Sequence, residues 1–176
     1  SSELTISEIL TNTDVGKDYG VILGNSINVP IILDSKKQTV SFPPIINAAV
    51  TTVTPKTKNL FVEVTGINKE DAEDMLSVVA TILQTAGFTL ISTKIIGAKN
   101  FSPKLEPRKI LINSNLINQT LGLNLSNSQI ITSLKKSRLD ATLKGKNIIC
   151  TIPAYRFDIF GPMDLVEEVS LGYGIQ

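Results

Sequence analysis

One helix start can be read residue by residue near the end of this chain. The segment runs Ile152-Pro153-Ala154-Tyr155-Arg156-Phe157-Asp158-Ile159, then Gly161-Pro162-Met163-Asp164-Leu165-Val166-Glu167-Glu168-Val169. Pro162 has its φ set near −65° and offers no N–H, both of which suit the first helical position. The spacing predicts a helix from Pro162 through about Gly172. On it Asp164, Glu167 and Glu168 stand at i, i+3 and i+4, on one face. Leu165, Val166, Val169 and Tyr173 fall on the other face, the expected core side. Asp158 lies just upstream, within reach of the acidic face. Hard divalent cations take carboxylate oxygens in groups of this kind. The plainer account is a solvated helix face whose early acid complements the positive end of the helix dipole. Spacing alone leaves both accounts open.

Charge is distributed unevenly along the 176 residues. The net charge is +1, so the bulk balance says nothing about nucleic acid. Residues 104–148, however, carry 8 basic against 2 acidic side chains, and residues 149–176 carry 1 against 4. Lys135, Lys136, Arg138, Lys144 and Lys146 make the basic stretch a candidate electrostatic footprint. It lacks aromatic residues that would stack on bases, and a solvated basic face is the plainer account of it. With 42% hydrophobic residues the chain can bury a core of one medium domain or two small ones. Cys150 is the single cysteine, so no internal disulfide forms, and its apolar surroundings predict a buried strand position. There is no histidine, which excludes histidine bases and ordinary zinc sites. No apolar run reaches the roughly 20 residues of a membrane span and no signal peptide is visible, so the chain reads as cytosolic.

Local patterns predict a mixed α+β chain. Short helices are expected from Ile6 to about Leu10 and from Lys17 to about Leu23. A hairpin is expected from Val29–Leu33, the turn Asp34-Ser35-Lys36-Lys37, and Gln38–Phe42. Pro43 and Pro44 predict an extended, rigid loop. Leu60–Thr65 alternates with period 2, a strand signal. Asn68 caps an expected long helix carrying Ala72, Met75, Leu76, Val79, Ile82 and Leu83 on one face and stopping at Gly87. Phe88–Ile96 reads as a strand. Gly97–Pro107, with its glycine and two prolines, reads as a linker. Beyond it come a strand from Arg108 to Ile112, a helix from Leu116 to Leu121 ending at Gly122, and a helix through about Leu139 opened by the Ser126/Gln129 capping box. Two strands then meet at the tight turn Leu143–Asn147.

Two blocks carry a family resemblance. The run I-P-x-Y-R-F-D-I, then D-L-V-E-E-V and G-Y-G, resembles the phenylalanyl-tRNA synthetase beta subunit, in the small domain after its editing domain. Upstream, Val40-Ser41-Phe42-Pro43-Pro44-Ile45-Ile46-Asn47 and Asn59-Leu60-Phe61-Val62-Glu63-Val64-Thr65-Gly66 are similar to the archaeal and eukaryotic version of that editing domain. The blocks occur in the family's order and together span essentially the whole chain. The resemblance implies residues 1–103 as the C-terminal part of the editing domain. It implies residues 104–176 as a small α/β domain with a DNA-binding-like, winged-helix-like fold. It also implies an internal piece of a longer subunit, consistent with the missing initiator methionine.

By the same resemblance, Asp158, Asp164, Glu167 and Glu168 match magnesium ligands of a site lying against the alpha subunit. The parent enzyme is an α2β2 heterotetramer that uses ATP and Mg2+ to attach phenylalanine to tRNA(Phe) in the cytoplasm. Glu63 matches an acid in the editing pocket, where a carboxylate is a strong acceptor for the hydroxyl of mischarged tyrosine. Such editing is needed because a pocket shaped for phenylalanine cannot strongly reject an isostere that adds a hydroxyl. Without the resemblance, Glu63 is a solvent-facing strand residue. Thr65 shares its strand face, Ser41 offers a hydroxyl to the same pocket, and Asn47 is expected chiefly to pin the proline loop. No nucleophile–base pair is present, so hydrolysis would use a positioned water, and no catalytic residue is assigned. A nucleic-acid-binding module on residues 104–176, or a purely structural domain holding the alpha subunit, are the competing readings.

Overall fold

The computed structural model describes residues 3–97 and 101–174. By packing it forms two compact units, Ser1–Thr65 and Gly66–Gln176. The first opens with α1 (Ile6–Asn12), whose cap Thr5 exchanges hydrogen bonds with Glu8 in a complete capping box. Helix α2 (Asp14–Tyr19) begins three residues earlier than the sequence predicts. Thr13 Oγ1 accepts the Gly16 N–H and starts the turn there, and the chain tightens into a 3-10 turn at Gly20–Leu23. The expected hairpin forms as β1 (Ile32–Leu33) and β2 (Thr39–Phe42), with Asp34 Oδ1 accepting the Lys36 and Gln38 N–H groups across the turn. Strand β3 (Ile46–Asn47) adds on the far side, giving an antiparallel sheet in the order β1-β2-β3. Pro43 and Pro44 thus lie in a tight turn, closed by Ile45 N–H donating to Phe42 O, rather than in the extended loop expected of them.

Residues 60–65 keep the predicted alternation without becoming a ladder strand. Val62 and Val64 are half-buried and Phe61, Glu63 and Thr65 exposed, yet no neighbouring strand pairs with them among the described residues. The same correction applies to Phe88–Ile96. Only β4 (Thr93–Lys94) pairs, with β5 (Phe101–Ser102), which lies within the expected linker. Strand propensity needs a partner edge to become a strand.

The second unit begins with α3 (Lys69–Thr85), capped by Asn68 as predicted. Its most buried residues are Ser77 and Ala80, while Met75 and Ile82 are exposed, so the contact face is rotated from the expected apolar one. Ser77 Oγ donates to the Lys104 carbonyl at 2.7 Å, tying the helix to the segment ahead of the next strand. The packing division therefore falls ahead of α3, whereas linker composition marks residues 97–107, of which 98–100 lie outside the described residues.

Beyond Pro107 the order is β6 (Arg108–Asn113), α4 (Ser114–Leu121), α5 (Asn127–Lys136), β7 (Asp140–Lys144), β8 (Asn147–Ile152) and α6 (Pro162–Tyr173). The three strands form an antiparallel sheet in the order β6-β8-β7, with Cys150 opposite both Ile110 and Ala141. Period-2 alternation turns Ile148, Cys150 and Ile152 inward. They meet Ile117, Ile130, Leu134, Leu139, Ile159, Leu165, Val166 and Val169 in one core. Burial pushes the Cys150 thiol up to about 11, so it behaves as a small apolar group. Asn118 fixes the α4–α5 turn: its amide donates to Leu125 O and its carbonyl accepts Leu125 N–H. Helix α5 ends at Lys136, short of Leu139, because Arg138 turns to a φ of 60°.

Helix α6 crosses α5 at Gly172. A Cβ placed there would stand 2.2 Å from the Ser133 carbonyl oxygen, and Ser133 is itself buried. Two small residues thus set the crossing distance. The Gly172→Ala variant should be destabilised by about 1–3 kcal/mol, read from urea unfolding, because α6 has to move off its seat. An unaltered midpoint would mean the crossing is loose.

Candidate functional site

The acidic residues of the last segment do not stand alone, because Arg156 reaches in among them. It lies in the turn between β8 and α6, and its guanidinium fork meets the Asp158 carboxylate edge-on. Nε donates to Oδ1 at 2.9 Å and Nη2 to Oδ2 at 2.7 Å. Nη2 also donates to Glu168 Oε1, the last acid on that face of α6. Nη1 reaches the Ser137 carbonyl at the end of α5, at 3.4 Å. Ser137 Oγ in turn donates to the Glu168 carbonyl. A fork–fork pair of this kind is the geometry in which an arginine–carboxylate bond is strong and directional. The pair holds the Asp158 carboxyl below the usual aspartate range, chiefly through the hydrogen bond from Arg156, and raises the guanidinium's own value.

Asp164 has a different task. At the third position of α6 its Oδ2 accepts the Phe160 and Gly161 N–H groups, each at 2.7 Å. This satisfies donors at the helix start and puts negative charge at the positive end of the dipole. Glu167 is exposed and makes no hydrogen bond or ion pair among the described residues. Two more cations finish the frame. Arg108 Nη2 donates to the carbonyls of Arg156 (2.7 Å) and Ile159, and Lys136 Nζ donates to Gly172 O at 2.8 Å, at the C-terminal end of α6.

The structure therefore links Asp158 and Glu168 through Arg156, and separates Asp164 and Glu167 from them in task. Among the described residues no group of three or more acidic, cysteine or histidine side chains is arranged to hold a metal ion. As held in this chain, the four acids do not fit a magnesium ion by themselves, because two of them already share a guanidinium and a third caps a helix. The sequence pattern missed Arg156 and Arg108 as site residues. The available signal was an arginine two positions before Asp158, and therefore free to fold back onto it.

In the first unit the expected pocket residues form two pairs. Ser41 is buried and its Oγ donates to Asn47 Oδ1 at 2.8 Å across β2 and β3. Thr65 Oγ1 donates to Glu63 Oε1 at 3.3 Å, both exposed. The Ser41–Asn47 bond joins the two strands that flank the Pro43–Pro44 turn.

Residues 110–175 match the family model described as tRNA synthetase B5 domain. Over nearly its whole length the chain is similar to phenylalanine–tRNA ligase beta subunits. It is 40% identical to that subunit from Methanococcus maripaludis over 99% of its own length and 31% of the relative's, and 36% identical to the one from Archaeoglobus fulgidus over 99% and 32%. It thus spans about a third of the length of the curated relatives it matches. A crystal structure of an N-terminal fragment of the phenylalanyl-tRNA synthetase beta subunit from Pyrococcus horikoshii superposes with a TM-score of 0.91 at 28% identity, covering 99% of this chain and 51% of that one.

The sign of the Asp158 shift makes a pH prediction. A folded value below the unfolded one contributes stability above about pH 4, and that contribution is lost as the pH falls through the folded value. The acid limb of the wild-type unfolding profile should therefore be steeper than that of Asp158→Asn below about pH 4. Superimposable acid limbs would mean the pair contributes nothing.

Proposed function

We propose that this chain is a working part of a phenylalanine–tRNA ligase beta subunit, acting with an alpha subunit, tRNA(Phe), ATP and Mg2+ in a cytoplasmic α2β2 enzyme. The observation that carries this is the continuous match, over 99% of the chain, to archaeal subunits bearing that name. In this reading residues 1–103 belong to a hydrolytic editing domain and residues 104–176 to a winged-helix-like domain. The second assignment is supported by the strand–helix–helix–strand–strand order and the sheet order β6-β8-β7. Lys144 and Lys146, exposed at the tip of the β7–β8 hairpin, favour a nucleic-acid contact as the second reading.

Editing rests on Glu63, with Thr65, Ser41 and Asn47 around it. An exposed carboxylate with a hydroxyl beside it can accept the phenolic O–H that separates tyrosine from phenylalanine. In the assembled enzyme, Glu63→Ala should slow hydrolysis of tyrosyl-tRNA about 10–100-fold, the rate equivalent of one charged hydrogen bond, with phenylalanine activation unaltered. Unchanged hydrolysis would make Glu63 a surface residue.

Magnesium binding by Asp158, Asp164, Glu167 and Glu168 belongs, in this reading, to the assembled subunits and not to this chain. Magnesium keeps several waters and uses one or two carboxylates, and with Asp158, Asp164 and Glu168 already engaged in this chain, a partner face would supply the ligands that Glu167 lacks beside it. Glu167 is the residue to test, since its loss leaves the Arg156 pairs and the Asp164 cap intact. Glu167→Gln in the full-length beta subunit should raise the magnesium concentration needed for half-maximal αβ assembly. An identical titration would remove the shared-metal role and leave Glu167 as a solvated helix residue.

A further inference from the structure

The guanidinium of Arg156 lies where a cation serving Asp158 and Glu168 would lie. Its side chain is 20% exposed and that of Glu168 is 14% exposed, so this pairing is largely withdrawn from solvent. The bidentate bond to Asp158 and the contact with Glu168 use oxygens from the loop and from α6 at once. The weaker bond to Ser137 O adds the end of α5. An arginine cannot be deprotonated in a protein, so no change of pH within the folded range removes this charge. A magnesium ion bridging the two acids would meet an Asp158 carboxylate whose two oxygens both accept from Arg156, and it demands octahedral ligands at about 2.0–2.1 Å.

We propose that Arg156 is the built-in counter-cation of the acidic segment. It seats α6 on α5 without a divalent metal, and it competes with magnesium for Asp158 and Glu168. The consequence is that this chain holds its fold with no metal. Any ion that enters must first draw Arg156 off its two carboxylates. This stands whether or not the assembled subunits share a metal there.

The test is a set of thermal melts of this 176-residue chain in MgCl2, against choline chloride of equal ionic strength. The wild-type midpoint should be the same in both salts. Arg156→Gln leaves Asp158 and Glu168 uncompensated and should lower the midpoint by roughly 5 °C or more. MgCl2, but not choline chloride, should then recover part of the loss. Should Arg156→Gln not fold, the same substitution is made beside Asp158→Asn and Glu168→Gln. With no acids left to neutralise, it should melt within roughly 2 °C of the Asp158→Asn/Glu168→Gln chain and show no magnesium response. The proposal is overturned if wild type gains as much from magnesium as the variant does. It is also overturned if Arg156→Gln melts like wild type or loses stability that magnesium does not restore, or if it costs as much after both acids are removed. None of these melts contains an alpha subunit, so their failure and a failure of the assembly reading are separate results.

Discussion

The second unit depends on how α6 is seated. Its apolar face, Leu165, Val166 and Val169, is fully withdrawn into the core, while Gly172 lets its last turn approach the Ser133 carbonyl. Burial of three such side chains supplies most of the free energy, at about 1.5–3 kcal/mol each. It does not by itself say where along its axis the helix stops. The polar contacts do that. Asp164 fixes the start, Lys136 caps the end through Gly172 O, and Arg156 ties the middle to the loop and to α5. Hydrophobic burial is non-directional, so registry has to come from groups with geometry.

This arrangement explains how four acids can sit close together in a small domain. Like charges at helical spacing repel by only a few tenths of a kcal/mol each, but Glu168 is largely withdrawn from water and would pay for desolvation without a partner. Arg156 is supplied from the same loop that carries Asp158, so the charge is balanced locally and needs no distant element. Arg108, on the neighbouring strand, then binds the carbonyls of that loop. Among the described residues Glu167 is the one of the four acids whose carboxylate has no partner, which makes it the acid best placed to meet another molecule.

Much of this second unit was legible in the sequence because its signals are local. The Ser126 capping box, the left-handed Gly122 at 68°, the Pro162 start and the alternation in β8 each fold as their neighbours dictate. Cys150 falls in the core as its apolar run predicts. Tyr173 does not fall there. It sits in the last turn of α6, past the Gly172 crossing, and is exposed. The Arg156 network was not legible either, because a turn of unknown geometry decides whether an arginine folds back or points away. Helix α3 was found with its cap and with Ala72, Leu76, Val79 and Leu83 on its half-buried side, but the burial of Ser77, which donates to Lys104 O, carries no hydrophobic signal.

The first unit shows the limit of local reading from the other side. Its caps at Thr5 and Thr13 and its Asp34 turn are all in place, yet its sheet consists of strands of two, four and two residues. Val62 and Val64 alternate with Glu63 and Thr65 as a half-buried strand should, and no edge among the described residues receives them. The candidate editing residues accordingly stand as two separate hydrogen-bonded pairs, Ser41 with Asn47 and Glu63 with Thr65. A pocket that discriminates one hydroxyl must hold its acceptor rigidly, since a mobile carboxylate is as well satisfied by water as by substrate. Glu63 gains that rigidity only where residues 60–65 are hydrogen-bonded along an edge. In the proposed editing role, the selectivity of Glu63 would therefore depend on an edge that pairs with residues 60–65, more than on the acid itself.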